Sequence, residues 1–323
     1  MRNKYSITSN EVKLFKHMDN LTSIQNKESK PVMFHIAPTN VCNMNCTHCC
    51  FSERDKTIEL DHLDLLKALE DIKLLGVKAI EWTGGGEPTL YEALPTVTKI
   101  ASKMGFSIGM NTNGLNYRED LNYSLFSWVR ISLNVFDLGI DLKQWVENVK
   151  KIQKQTKVTM CYIASENTPH ENLKKVIDFA EEQKIPTRIA PDCIKSKEKI
   201  EGTINWIKFI TKEEYGFTDS EYVFISDFNI FLGEREDNVC MMHMLKPFLY
   251  SDGYVYACPS SELAIENNRT MQPEFRICKM EDIIDYYTNK FEVKNFKCSY
   301  CKYTNQNNIL NDLIKEVDDI EFC

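Results

Sequence analysis

Three cysteines stand at Cys42, Cys46 and Cys49, in a stretch that opens Pro38-Thr39-Asn40 directly after a strand-like run, Phe34–Ala37. Three thiolates from one short loop can ligate three irons of a cubane and leave the fourth iron open to bind and activate a substrate. The chain has 12 Cys in 323 residues. At that content a C-x3-C-x2-C spacing arises by chance only about 0.02 times per sequence, so coincidence is a poor account of it. Zinc is the serious rival. Structural zinc takes four ligands, and His48 would have to be the fourth, awkwardly placed between two ligating Cys.

Four more cysteines make a second pattern. Cys240 is followed by twelve residues, Gly253, four residues and Cys258, and later by Cys298-x-x-Cys301. Two ligands flanking a hairpin and two from a tight knuckle make a closed tetrathiolate site. The run Tyr250-Ser-Asp-Gly-Tyr-Val-Tyr-Ala-Cys258 reads as strand, turn, strand with Gly253 at the tip. On ligand count alone, zinc and an iron–sulfur cluster suit this site equally. A third motif, Gly84-Gly85-Gly86-Glu87-Pro88, follows the strand candidate Ala79–Trp82. Consecutive glycines let backbone approach a ligand closely, and a carboxylate beside them can receive an ammonium.

The elements that must position these residues alternate. Strand candidates are Phe34–Ala37, Ala79–Trp82, Ser107–Asn111, Val129–Asn134, Val158–Ile163 and Thr187–Ala190. Between them lie helical patterns: Leu63-Leu66-Leu69-Ile72 with Asp61 as N-cap, Trp145-Val149-Ile152, and Leu173-Val176-Ile177-Ala180. Gly76, Gly105 and Pro186 stand where the helices should stop. Six βα units imply parallel strands with right-handed crossovers, in a barrel or a doubly wound sheet. In either layout the loops at the C-terminal strand ends form the active face. A helix over Ile200–Thr211 closes this region and Glu213–Ser220 reads as a linker. Beyond it, short strands at Tyr222–Ile225, Phe248–Tyr250 and Tyr254–Ala257 suggest a separate small module. The predicted organisation is an N-terminal extension over 1–30, a first domain over 31–212, and a linker with a cluster-bearing domain over 213–323.

With these motifs in place, the sequence resembles the radical S-adenosylmethionine (SAM) superfamily, whose signature is CxxxCxxC in the loop after the first strand. The resemblance covers about residues 32–305. It implies an α/β fold, a partial (βα)6 TIM-like barrel with a small C-terminal twitch-type iron–sulfur module. It implies Cys42, Cys46 and Cys49 as ligands of a catalytic [4Fe–4S] cluster, with His48 beside the SAM adenine. Gly84, Gly85, Gly86 and Glu87 match the family's GGEP motif for the SAM amino group, and Asn111-Thr112-Asn113-Gly114 resembles its TNG. Ser132 and Asn134, ending the fourth strand, would meet the SAM ribose or carboxylate, and Arg188 would pair with the carboxylate. The pattern CX9–15GX4C followed by CX2C resembles the SPASM/twitch extension, which implies an auxiliary [4Fe–4S] cluster on Cys240, Cys258, Cys298 and Cys301. No Cys follows Cys301 until Cys323, which suits the shorter twitch form, as in 2-deoxy-scyllo-inosamine dehydrogenase. Cys278 is an alternative ligand. Cys50 and Cys161 read as ordinary small apolar residues.

The resemblance implies reductive cleavage of SAM to a 5′-deoxyadenosyl radical that abstracts a substrate hydrogen. The auxiliary cluster would then accept an electron, giving net oxidation of a small molecule. A flavodoxin- or ferredoxin-type reductant is the implied partner. Weak candidates for a catalytic group near the strand ends are Cys193, Asp192 and Glu166. The alternatives are a maturase acting on a short, ribosomally made peptide, and a non-catalytic zinc or iron–sulfur protein. Such maturases often carry a leader-binding domain, and residues 1–30 are too short for one. The net charge of −8 without a basic stripe disfavours nucleic acid as substrate. The apolar runs are far shorter than the ~20 residues of a membrane span, and Met1–Asn10 lacks a signal-peptide core. Twelve thiols without a secretory signal point to a reducing, cytoplasmic setting.

Overall fold

A computed structural model of the chain describes residues 11–26, 28–216, 220–226, 231–232, 239–263, 268–294, 296, 298 and 300–315. The first seven strands are β1 (Met33–Ile36), β2 (Ala79–Trp82), β3 (Ser107–Thr112), β4 (Trp128–Ser132), β5 (Val158–Ala164), β6 (Thr187–Pro191) and β7 (Val223–Ile225). They pair in sequential order, every pair parallel. A doubly wound sheet reverses its strand order midway. Sequential order with right-handed crossovers keeps all helices on one face, so the sheet curls into a barrel. This decides between the two layouts that the βα alternation allows: the fold is a partial barrel.

The helices are α1 (Glu11–Leu14), α2 (Met18–Gln25), α3 (His62–Leu74), α4 (Leu94–Lys103), α5 (Lys143–Gln153), α6 (His170–Gln183) and α7 (Lys197–Tyr215). Asp61 caps α3 as expected, accepting from the Leu63 and Asp64 N–H groups at 2.8 and 3.1 Å. Leu65, Ala68, Leu69 and Ile72 form its buried face. The helix stops where Gly76 adopts φ 81°, and Gly105 ends α4 the same way at φ 82°. The end of α6 differs from expectation. Lys184, at φ 54°, is its left-handed cap, two residues before Pro186. The α7 helix is also longer than predicted and takes in Glu213 and Glu214.

The remaining strands are β8 (Phe231–Leu232), β9 (Phe248–Leu249), β10 (Tyr254–Tyr256), β11 (Arg276–Lys279) and β12 (Tyr300–Cys301), and the short helices α8 (Met242–Leu245) and α9 (Ile283–Asp285) precede α10 (Thr304–Leu313). β9 adds parallel to β1, and β10 and β11 follow antiparallel, so one sheet runs β11-β10-β9-β1-β2-β3-β4-β5-β6-β7. The C-terminal hairpin is thus continuous with the barrel. The strand Val223–Ile225, read from sequence as part of the small module, instead pairs with β6 and extends the barrel. β8 and β12 form a separate pair. Residues 1–10 of the expected N-terminal extension, and residues 217–219 of the expected linker, lie outside the described residues.

Candidate active site

The loop after β1 carries the first three thiols. Its shape is set by Arg54, whose side chain is 7% exposed. Arg54 donates to the Asn40 and Phe51 carbonyls at 2.9 and 2.6 Å, and Nη1 donates to Cys49 Sγ at 3.7 Å. The Met44 N–H points at Cys42 Sγ, 3.5 Å away. Burial and the neighbouring Cys49 and Cys42 thiols push Cys46 up to about 12, and burial likewise raises Cys42. Bare, Cys42 and Cys46 prefer to stay protonated. A bound cation would reverse that and release the protons, which is the chemistry expected of a thiolate ligand set.

The Gly-rich turn after β2 packs its backbone against this loop. A Cβ on Gly85 would lie 1.8 Å from Asn40 Oδ1, and one on Gly86 would lie 2.1 Å from the Val41 carbonyl. The glycines therefore serve close approach between two loops. The N–H groups of Gly86 and Glu87 donate to the carbonyls of Thr39 and Val41 at 2.9 and 2.7 Å.

Glu87 is 2% exposed and already engaged. Its Oε1 accepts from the Thr89 N–H and hydroxyl and from the Thr112 hydroxyl, at 3.1, 2.8 and 2.6 Å. Its Oε2 accepts from the Asn113 N–H at 2.7 Å. The sequence suggested a carboxylate awaiting an ammonium; the structure shows a clamp joining the β2 and β3 turns. Asn113 carries the connection on to the cysteine loop through Asn43 at 2.7 Å.

Asn134 is similarly committed: its amide bonds both the N–H and the carbonyl of Ile163, at 3.0 and 2.8 Å. Ser132 Oγ accepts from the Asn134 N–H at 3.2 Å. His48 is half-buried, and burial lowers its pKa against the opposing pull of Asp192 and Asp137. Asp192 accepts from the Ile194 N–H at 3.0 Å. Glu166 pairs with Lys199 at 2.8 Å. Cys193 lies within electrostatic reach of Cys50.

The second cysteine set converges. Cys240, Cys258, Cys298 and Cys301 line one recess, partly open to solvent, with Phe275 and Phe296 among its walls. Burial, then the nearby Cys240 and Cys298 thiols, raise Cys258 well above its ordinary value. Asn307 Nδ2 donates to Cys301 Sγ at 3.8 Å, and the Ser261 hydroxyl lies 3.7 Å from Cys258 Sγ. Cys278 sits on β11 near Asp282 and Lys294 and is not among the residues lining the recess. Among the described residues no three His, Cys, Asp or Glu side chains close to the distances of a single metal ion. A four-iron cubane spreads its thiolates more widely than one ion does.

Three polar residues in the barrel strands, His35, Glu81 and Arg130, went unread in the sequence. His35 Nδ1 lies 3.5 Å from Glu81 Oε1, and Asn111 Nδ2 donates to the same oxygen at 2.7 Å. Burial takes His35 down to about 4, against the raising effect of Glu81, so the ring is neutral. Arg188 Nη2 lies 3.4 Å from Cys161 Sγ. The available signal was a lone polar residue between two apolar ones in a buried strand: Phe34-His35-Ile36, Ile80-Glu81-Trp82 and Val129-Arg130-Ile131.

Comparisons with known proteins agree with this geometry. Residues 36–182 match the family model described as the radical SAM superfamily. The tungsten-containing aldehyde ferredoxin oxidoreductase cofactor-modifying protein of Pyrococcus furiosus is 29% identical over 147 residues, 45% of this chain and 38% of that protein. The sporulation killing factor maturation protein SkfB of Bacillus subtilis is 23% identical over 162 residues, 47% of this chain and 39% of that protein. The matched segment thus spans under two fifths of either relative. The structure of Streptococcus suis SuiB bound to precursor peptide SuiA superposes with a TM-score of 0.60 at 16% identity, covering 90% of this chain and 72% of that one. No helix among the described residues is long and apolar enough to cross a membrane. Residues 36–182, just under half of the chain, are thus similar to the radical SAM superfamily, whose cofactors are a [4Fe–4S] cluster and SAM.

Proposed function

We propose that the chain cleaves SAM reductively, takes a hydrogen atom from its substrate, and oxidises a small molecule with a second cluster as electron acceptor. The observation that carries this reading is the presence of two thiol sets of different size. Three thiols share one loop, while Cys240, Cys258, Cys298 and Cys301 converge on a separate recess. A set of three suits an iron with an open position and a set of four a closed cluster. When bound, the first cluster with SAM would supply a carbon radical and the second a one-electron acceptor.

The chain's own residues hold and shield these groups. Cys42, Cys46 and Cys49 would ligate the first cluster, with Arg54 placing positive charge on Cys49. SAM would lie against the backbone of Gly84–Gly86, beside Ser132 and His48. Glu87 and Asn134 brace the turns around it. The C-terminal segment covers the loop from the other side: Arg269 donates to the Thr47 carbonyl at 3.1 Å, and Tyr250 stacks on Phe51 at 5.7 Å. This cover keeps water from a reactive centre.

Similarity to SkfB, a maturation protein, and to SuiB, solved with a precursor peptide, favours a second reading in which the substrate is a peptide. Anaerobic reconstitution tests the shared chemistry. The reading requires about eight irons per chain, from two four-iron clusters, and 5′-deoxyadenosine formation from SAM with dithionite. Zinc in place of iron, or no SAM cleavage, would reject it. Deuterium transfer into 5′-deoxyadenosine from labelled small molecules or peptides separates the two substrate classes.

A further inference from the structure

The inner side of the barrel sheet carries two arginines, Arg130 on β4 and Arg188 on β6. Along β4 the inward Trp128, Arg130 and Ser132 keep partial exposure, while the outward Val129 and Ile131 are fully buried under helices. Arg188 is likewise the one half-buried position of β6, whose other residues are buried. Gly109 and Trp128 are register partners on β3 and β4. A Cβ on Gly109 would fall 2.3 Å from the Trp128 ring, so the indole lies across the glycine and floors the lumen. Above it the Arg130 guanidinium sits 5.2 Å from the indole centroid.

Two cross-strand rows stand at this level. One is Asn111, Arg130 and Thr159 on β3, β4 and β5. The other is Ser132, Cys161 and Arg188 on β4, β5 and β6. Arg130 and Arg188 act on each other as like charges, opposed by Glu81 and the Cys161 thiol. Lys246, 7% exposed, also feels Glu81 from the C-terminal segment. Glu81 is engaged by His35 and Asn111. A chain of net charge −8 thus sets the Arg130 guanidinium and the Lys246 ammonium near one carboxylate, with Arg188 acting on Arg130 as a second guanidinium. Thr159 is 3% exposed, and its hydroxyl has no hydrogen-bond partner among the described residues. Buried polar atoms are rarely left unpaired, which points to a ligand between these strands.

We infer that the barrel lumen receives the anionic end of the substrate, a carboxylate or a phosphate, between Arg130 and Arg188, with the Thr159 hydroxyl as a third donor. A planar guanidinium matches either anion with two parallel bonds. The indole floor limits the depth, so the anion anchors there and the rest of the substrate extends toward the three-cysteine loop at the strand ends. This deepens the proposed function by naming the substrate's chemical class, and it rests on that reading. The SAM carboxylate offers the same chemistry and is the source the test must separate.

The test is equilibrium dialysis of reconstituted full-length protein with radiolabelled phosphate and, separately, succinate, with and without saturating SAM. Binding of at least one probe is expected and should persist when SAM is present. Arg130→Gln should weaken it at least tenfold and Arg130→Lys less, while SAM affinity measured the same way stays within twofold. Thr159→Val, nearly isosteric, should weaken it severalfold and serves if Arg130→Gln fails to fold. Absence of binding by wild type, anion affinity unchanged in the Arg130→Lys and Thr159→Val variants, or displacement of the probe by SAM would each overturn the inference. SAM cleavage is scored on the same wild-type preparation. Anion binding without cleavage would sink the proposed function instead, and cleavage without anion binding would sink only the lumen site.

Discussion

Ser251 Oγ donates to Asn40 Oδ1 at 2.7 Å, joining the tip of the C-terminal hairpin to the start of the first cysteine loop across 211 positions of sequence. The same Asn40 oxygen fills the space beside Gly85. One side chain therefore registers the cysteine loop, the Gly-rich turn and the hairpin against one another.

A methyl group at position 85 should break this registration. Its Cβ would lie 1.8 Å from Asn40 Oδ1 and 3.0 Å from the Tyr250 ring, so Gly85→Ala must shift one loop. A loss of about 1–3 kcal/mol, typical of overpacking, is expected in urea unfolding, with reduced iron retention. An unchanged midpoint and full iron content would show that the three segments are not in close contact.

Glu87→Gln should destabilise through the same region. An amide offers one acceptor oxygen where four donors converge, and its NH2 would face the Thr112 hydroxyl or the Asn113 N–H. Leaving such buried donors unpaired costs about 1–3 kcal/mol. Chemical denaturation measures the loss. Wild-type stability with weakened SAM binding would instead assign Glu87 to the ligand.

Cysteine replacement separates ligands from bystanders. Cys258→Ser should lower iron from about eight to about four atoms per chain, the content of one cluster. Cys278→Ser should leave it unchanged, because Cys278 lies on β11 outside the recess. Iron and sulfide analysis of anaerobically purified variants decides, and iron loss in Cys278→Ser would place that thiol in the site.

His35 predicts a pH dependence of stability. Burial holds its folded pKa at about 4, whereas an unfolded histidine titrates near 6.5. Between these values the unfolded chain binds a proton that the folded chain does not. Stability therefore rises with pH across that window: the contribution is fully present above about 6.5 and is lost as pH falls toward 4, by about 3 kcal/mol at most. His35→Gln should flatten the slope of unfolding free energy across that window of about 2.5 pH units. Parallel wild-type and variant profiles would place the imidazole in solvent.

Much of the architecture was legible because it is local. Asp61 before an apolar 3.6-residue pattern, and Gly76 and Gly105 after such patterns, mark helix ends through capping and left-handed φ alone. The end of α6 escaped because Lys184, not glycine, takes φ 54° there, a conformation that nothing in its type announces. The βα alternation showed parallel strands but not their order, since either sheet satisfies the same string of elements.

By itself the sequence determined which thiols could act together at short range: the offsets of Cys42, Cys46 and Cys49 place three ligands in one loop whatever the rest of the chain does. Only the tertiary structure decided that Cys240, Cys258, Cys298 and Cys301 meet in one recess, because their approach depends on β9 and β10 joining the barrel sheet. It also decided that Glu87 is a clamp and that Arg130, Thr159 and Arg188 share a lumen. The physical reason is range. Spacing and backbone propensity act over a few residues, whereas strand register and burial set which distant side chains face one another and how many hydrogen-bonding sites each has left.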